Sequence, residues 1–180
     1  MKRRAPVFKC FLMLLVLALV AGCGTTEERK RKKELSNLRV HVETGGQADM
    51  SAAISVIRAS PILLNIEREP VLDENNVEGA TVEEQPGGFV IRVKFDRQGA
   101  WVLERTTVMN RGRHLAIHSE FGAHRWLAAP LMLGKNSTGE MVFTPDCTRE
   151  EAERVVRGLN NVVRKIKRQE NWPFPSSATP

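Results

Sequence analysis

Apolar residues recur at every second position in five separate stretches of this sequence, and at helical spacing in only two. Leu38, Val40 and Val42 alternate with Arg39, His41 and Glu43, and Ile62, Leu64 and Ile66 follow Pro61. Ala80 and Val82 alternate with Thr81 and Glu83, Phe89 to Phe95 repeats the pattern, and so do Leu115 and Ile117. Successive side chains of a strand point to opposite faces, so each stretch reads as a strand with one buried face. Between the third and fourth lies Gln85-Pro86-Gly87-Gly88. Proline presets φ and the glycines tolerate positive φ, which makes this a tight turn and the pairing antiparallel. Phe121 to Ala129 reads as a hairpin tip with a return strand, and Met141 to Phe143 as a final short strand. Met50 to Ala59 is ambiguous: Ser51-Ala52-Ala53 suits a helix, whereas Ile54-Ser55-Val56-Ile57 suits a strand.

The two helical stretches carry their own punctuation. Asp96 is placed to cap a helix running to about Asn110, burying Ala100, Leu103 and Thr107, with Asn110-Arg111-Gly112 as the stop. Thr148 and Glu151 form a T-x-x-E capping box. Ala152, Val155, Val156, Leu159, Val162, Val163 and Ile166 then form one apolar stripe, and the bases from Arg164 to Arg168 suit the negative end of the helix dipole. The pattern predicts an α+β fold: a mixed, mainly antiparallel sheet of about five to six strands with two helices packed on one face.

With 180 residues, 42% apolar and 27% charged, the chain describes one globular domain and no fibrous or wholly disordered protein. The net charge of +6 invites a nucleic-acid reading until the charge is located. Nine of the 27 bases but only three of the 21 acids precede Leu35, which leaves 18 of each in the rest. Affinity for nucleic acid comes largely from bases that neutralise phosphates, and a neutral body argues against that partner.

The amino terminus runs from a basic stretch, Met1 to Lys9, into an apolar run, Phe11 to Ala21, and then Gly22-Cys23-Gly24. Eleven residues at about 1.5 Å each span about 16 Å, half a hydrocarbon core, which fits a signal-peptide core and not a membrane-spanning helix. Val20-Ala21-Gly22-Cys23 resembles the lipobox of bacterial lipoproteins. The resemblance implies cleavage between Gly22 and Cys23 and acyl chains on Cys23, an extracytoplasmic body tethered to a membrane, and an outer-membrane address in a Gram-negative cell because Gly24 stands where Asp would signal retention. An ordinary secretory signal with an incidental Cys23 is the competing reading. The organisation that follows is a signal peptide over 1–22, a charged linker over 23–36, one α+β domain over 37–170 and a Pro-rich tail over 171–180. The linker cluster Arg29-Lys30-Arg31-Lys32-Lys33 admits two readings, a solvated spacer or a contact with anionic head groups. With Cys10 removed and Cys23 acylated, Cys147 has no cysteine to pair with, and stability has to come from the core.

A further likeness lies in the body. Glu69-Pro70-Val71-Leu72-Asp73, Gly79-Ala80-Thr81-Val82, Val93-Lys94-Phe95-Asp96 with Gly99-Ala100, and Thr106 with Asn110-Arg111-Gly112-Arg113 appear in order, followed by Leu115-Ala116-Ile117, Ala128-Ala129-Pro130, Phe143-Thr144 and Glu150-Glu151-Ala152. From about Pro61 to Arg164 the chain resembles the head subdomain of the first periplasmic domain of SecD, part of the SecDF protein-export machinery. The resemblance implies the fold and a surface of the kind that in SecD meets exported polypeptides. The stretch from Ile117 to Pro130 is longer than the usual family connection. The chain also lacks the transmembrane helices of SecD, so proton-driven export does not carry over.

Candidate chemistry is sparse. His114, His118, Glu120 and His124 suggest a metal site or a small envelope enzyme, as does a nucleophilic Cys147. On a strand, however, His114 and His118 share a face about 13 Å apart at about 3.3 Å per residue, whereas two zinc ligands bring their nitrogens within roughly 3 to 4 Å. No Gly-rich phosphate loop or serine-nucleophile elbow is present. The sequence therefore points to a protein without cofactor, metal or catalytic residue, held to the membrane through Cys23 and contacting a protein or peptide partner. Phe121, Arg125 and Trp126 in the FGAHRWL tip are the candidate contact residues, with Trp126 as a core anchor the competing reading.

Overall fold

The structure, a computed structural model, describes residues 23–45, 51–57 and 60–170. The predicted signal peptide over 1–22 and the predicted tail over 171–180 lie outside the described residues. Contacts divide the chain between Glu34 and Leu35. In the first unit, helix α1 (Cys23–Lys33) occupies the charged linker and has no apolar face to bury.

The second unit contains the remaining elements. They are β1 (Asn37–Val42), β2 (Ser51–Val56), β3 (Ile62–Glu67), a single 3-10 turn (Glu74–Asn76), β4 (Val77–Gln85), β5 (Gly88–Phe95), α2 (Arg97–Met109), β6 (Leu115–Glu120), β7 (His124–Ala128), β8 (Glu140–Phe143) and α3 (Arg149–Glu170). The α+β class and antiparallel pairing stand as the sequence indicates. The described strands number eight and fall into three ladders, β1–β6–β7, β2–β3 and β4–β5–β8. Within the ambiguous stretch Ser51–Val56 is a strand, because β2 pairs with β3 along its whole length, from Ser51 against Glu67 to Val56 against Ile62.

Local signals act as read. Pro86-Gly87 reverses the chain between the paired residues Gln85 and Gly88, with Gly87 at φ 89°. The Asp96 carboxylate accepts from the Gly99 N–H at 2.7 Å and starts α2. At α3 the Thr148 hydroxyl accepts from the Glu151 N–H at 3.2 Å while the Glu151 carboxylate accepts from the Thr148 N–H at 3.0 Å. The capping box thus satisfies two amides that the helix cannot.

The main core lies between the two three-stranded ladders, α2 and α3. Leu38, Val40 and Val42 enter it from β1, Leu115 and Ile117 from β6, and Ile91, Val93 and Phe95 from β5, and α3 contributes Ala152, Val155, Val156, Leu159 and Val163. α3 packs along the outer edge of β4. There the Asn160 side chain donates to the Ala80 carbonyl and accepts from the Ala80 N–H, both at 2.9 Å, as a neighbouring strand would. A second, smaller cluster of Val56, Leu64, Ile66 and Ala116 forms where the β2–β3 hairpin covers part of the opposite face of β1–β6–β7.

Candidate functional site

That opposite face gathers three of the four histidines of the chain. On β1 the residues between the core positions are Arg39 and His41, on β6 they are Ala116, His118 and Glu120, and on β7 His124 and Trp126. Register brings them together: Arg39 lies opposite His118, His118 opposite Trp126, and Glu120 opposite His124. The rings of His118 and Trp126 are 4.9 Å apart, and His118 stacks on His124 at 5.7 Å with 21° between planes. His41 meets the edge of Trp126 at 5.4 Å. Two imidazoles, His41 and His118, therefore contact one indole, the third, His124, stacks on His118, and His41 is buried.

Burial lowers the pKa of both inner imidazoles. Burial lowers the His41 pKa, the Arg39 cation adds to this, and the hydrogen bond from Nδ1 to the Glu67 carbonyl (2.9 Å) opposes it. Burial likewise lowers His118, and His124, His41 and Arg39 push the same way against the weaker pull of Glu120. The exposed His124 has Glu120 Oε1 at 3.6 Å from its Nε2. Among the described residues, no group of three or more His, Cys, Asp or Glu side chains is placed to hold a metal ion. The cluster as arranged is a packed aromatic assembly.

The structure separates the sequence candidates. His114 lies apart from the other histidines: its Nδ1 is 2.8 Å from Glu43 Oε2, an oxygen that also accepts from the His114 N–H. Cys147 is half-buried against the main core. Phe121 packs on that core beneath the Arg154 guanidinium, 4.6 Å from the ring centroid. Arg125 bonds Glu151 Oε1 at 3.1 Å and the Asp146 carbonyl, pinning β7 to the start of α3. Trp126 packs on the second cluster. All three candidate contact residues are thus held by neighbours, and Gly122, Ala123 and His124 form the exposed part of the tip. Sequence reasoning passed over His41. The only signal for it is its place on the polar face of the first strand, and no local pattern shows that this strand pairs with residues 115–120.

No family model matches the sequence, and no curated protein matches it. Solved structures do. A structure described as a membrane component SecDF that enhances protein export superposes with TM-score 0.55 at 16% identity, covering 78% of this chain and 69% of that one. The crystal structure of SecDF in a super-membrane-facing form gives the same TM-score, identity and coverage of this chain, which spans 21% of that longer one. No helix among the described residues is long and apolar enough to cross a membrane. The body therefore has the fold of a SecDF domain.

Proposed function

We propose that this chain is a lipid-anchored, non-catalytic envelope protein whose SecD-head-like body contacts exported polypeptides or an envelope export complex on the extracytoplasmic side. The observation that carries the reading is the fold likeness to SecDF over 78% of the chain, joined to a sequence whose Val20-Ala21-Gly22-Cys23 resembles a lipobox. Acyl chains on Cys23 would act as the tether in place of transmembrane helices, since two or more chains hold a protein to a bilayer where one holds it only reversibly. The packing of His41, His118 and Trp126 on one another supports a non-catalytic role for that cluster.

Two measurements test it. Radiolabelled palmitate should enter the wild-type protein and not Cys23→Ser, which should accumulate uncleaved; normal processing of that variant defeats the anchor. A photo-crosslinker at Ala123, in the exposed tip, should capture an arrested exported chain in cells. Capture that is equal when export is blocked before translocation defeats the contact.

A further inference from the structure

The solvent side of α2 carries three large apolar side chains. Leu103, Thr106 and Thr107 point into the protein. Trp101 and Val108, seven residues apart and so within about 20° of one line on a helix, lie on the opposite side, 61% and 55% exposed, with Met109 beside them at 68%. A strap of chain runs beside the helix. Met132 lies at the helix end, where its carbonyl accepts from the Gly112 N–H, Asn136 N donates to Thr107 Oγ1, and Lys135 reaches Glu104 at 2.7 Å. Met132 turns inward, while Leu131 and Leu133 on either side of it turn outward at 46% and 74% exposure. Five of the eight exposed large apolar side chains among the described residues therefore lie on α2 and the strap that bonds to it, and concentrations of exposed apolar surface mark interaction sites.

Charge singles out the same face. The body from Leu35 onward is neutral, yet residues 97–113 hold four arginines, Arg97, Arg105, Arg111 and Arg113, against one acid, Glu104, which already pairs with Lys135. All four arginines are exposed, and Arg105 lies over the Trp101 ring at 5.6 Å from the centroid. An exposed indole under a guanidinium, flanked by Met, Val and Leu and fringed by arginines, is the chemistry of a helix lying in the boundary between head groups and acyl chains. There the indole and the aliphatic stems sit in the apolar layer and the guanidinium groups meet lipid phosphate. The face is the convex side of a helix, which suits a deformable surface better than an extended peptide, whose main chain seeks a sheet edge or a groove.

We propose that α2 and the strap Leu131–Leu133 form a docking face for an anionic phospholipid bilayer. This goes beyond the function proposed above and does not depend on Cys23 being acylated.

Trp101 reports on the contact directly. The full-length protein is mixed or reconstituted with vesicles whose acyl chains carry bromine, a short-range quencher of indole fluorescence, made either of phosphatidylglycerol or of phosphatidylcholine. Phosphatidylglycerol should quench a component of the emission that phosphatidylcholine does not and that 0.5 M salt reduces, and Trp101→Phe should abolish that component. Each cation near an anionic surface contributes about a five-fold factor, so Arg97→Gln with Arg105→Gln should lower the docked-to-undocked ratio by about 25-fold. Circular dichroism of these surface variants should match the wild type. Quenching that is unchanged in Trp101→Phe, or equal in the two lipids, overturns the proposal. So does protection of Trp101 that appears without lipid, either with rising protein concentration, which identifies a second copy as the occupant, or on adding an unfolded polypeptide.

Discussion

Replacing Gly158 with alanine sets two effects against each other. Gly158 lies inside α3, where exchange of glycine for alanine ordinarily stabilises by about 1 kcal/mol. Here, however, an added Cβ would stand 2.8 Å from the Ser36 backbone nitrogen, 2.9 Å from the Leu35 carbonyl carbon and 2.9 Å from Ser36 Cβ. Two of these atoms are backbone and cannot rotate aside. Forcing a methyl group into such a contact costs about 1–3 kcal/mol. Ser36 is 1% exposed and its hydroxyl is 3.0 Å from that of Ser119, so pushing it away also weakens a buried hydrogen bond of about 1 kcal/mol. The costs exceed the gain, and Gly158→Ala should destabilise by about 1–3 kcal/mol, lowering Tm by roughly 3–12 °C for a body of this size. Urea and thermal unfolding followed at 222 nm measure this. An unchanged or higher Tm would mean that helix propensity wins and that the close approach of Leu35-Ser36 to α3 is not a constraint.

Asn160→Leu should lower the urea midpoint by the equivalent of about 1–3 kcal/mol, because both backbone groups of Ala80 lose their partner. It should also raise light scattering at high concentration, since the outer edge of β4 is then open to another chain. His41 and His118 make stability depend on pH. Their folded values lie below the ordinary 6.5, so the unfolded chain binds protons first, and stability is complete above pH 6.5 and falls as pH drops from there towards the folded values. Urea midpoints at pH 7.5 and 5.5 should differ for the wild type and differ less for His118→Gln; equal losses in the two proteins would remove His118 from the account.

Much of this fold is legible because its signals are local. The caps at Asp96 and Thr148 act within three residues of themselves, and Pro86-Gly87 sets the register of the hairpin it joins. β2 is not legible in that way: its Ala and Ser positions fit either helix or strand, and only pairing with β3 decides. Nor does the sequence separate the three ladders, since that depends on which faces meet after collapse. The candidate site shows the same division. His118 and His124 are neighbours across a hairpin and could be picked out together. His41 reaches them only because β1 pairs with β6, a contact between segments more than seventy residues apart. The exposed apolar side chains of α2 are implicit in the sequence, since Trp101 and Val108 fall opposite Leu103 at helical spacing.

Ala116 and Ile117 are consecutive in β6, both fully enclosed, and face different clusters. The middle ladder is therefore a partition, with the large interior on one side and the small one on the other. Evolution can re-tailor the hairpin on the far side, in length or in chemistry, while the residues that hold the large interior keep their packing, which leaves the imidazole-lined side as the part of this architecture freest to acquire a new role.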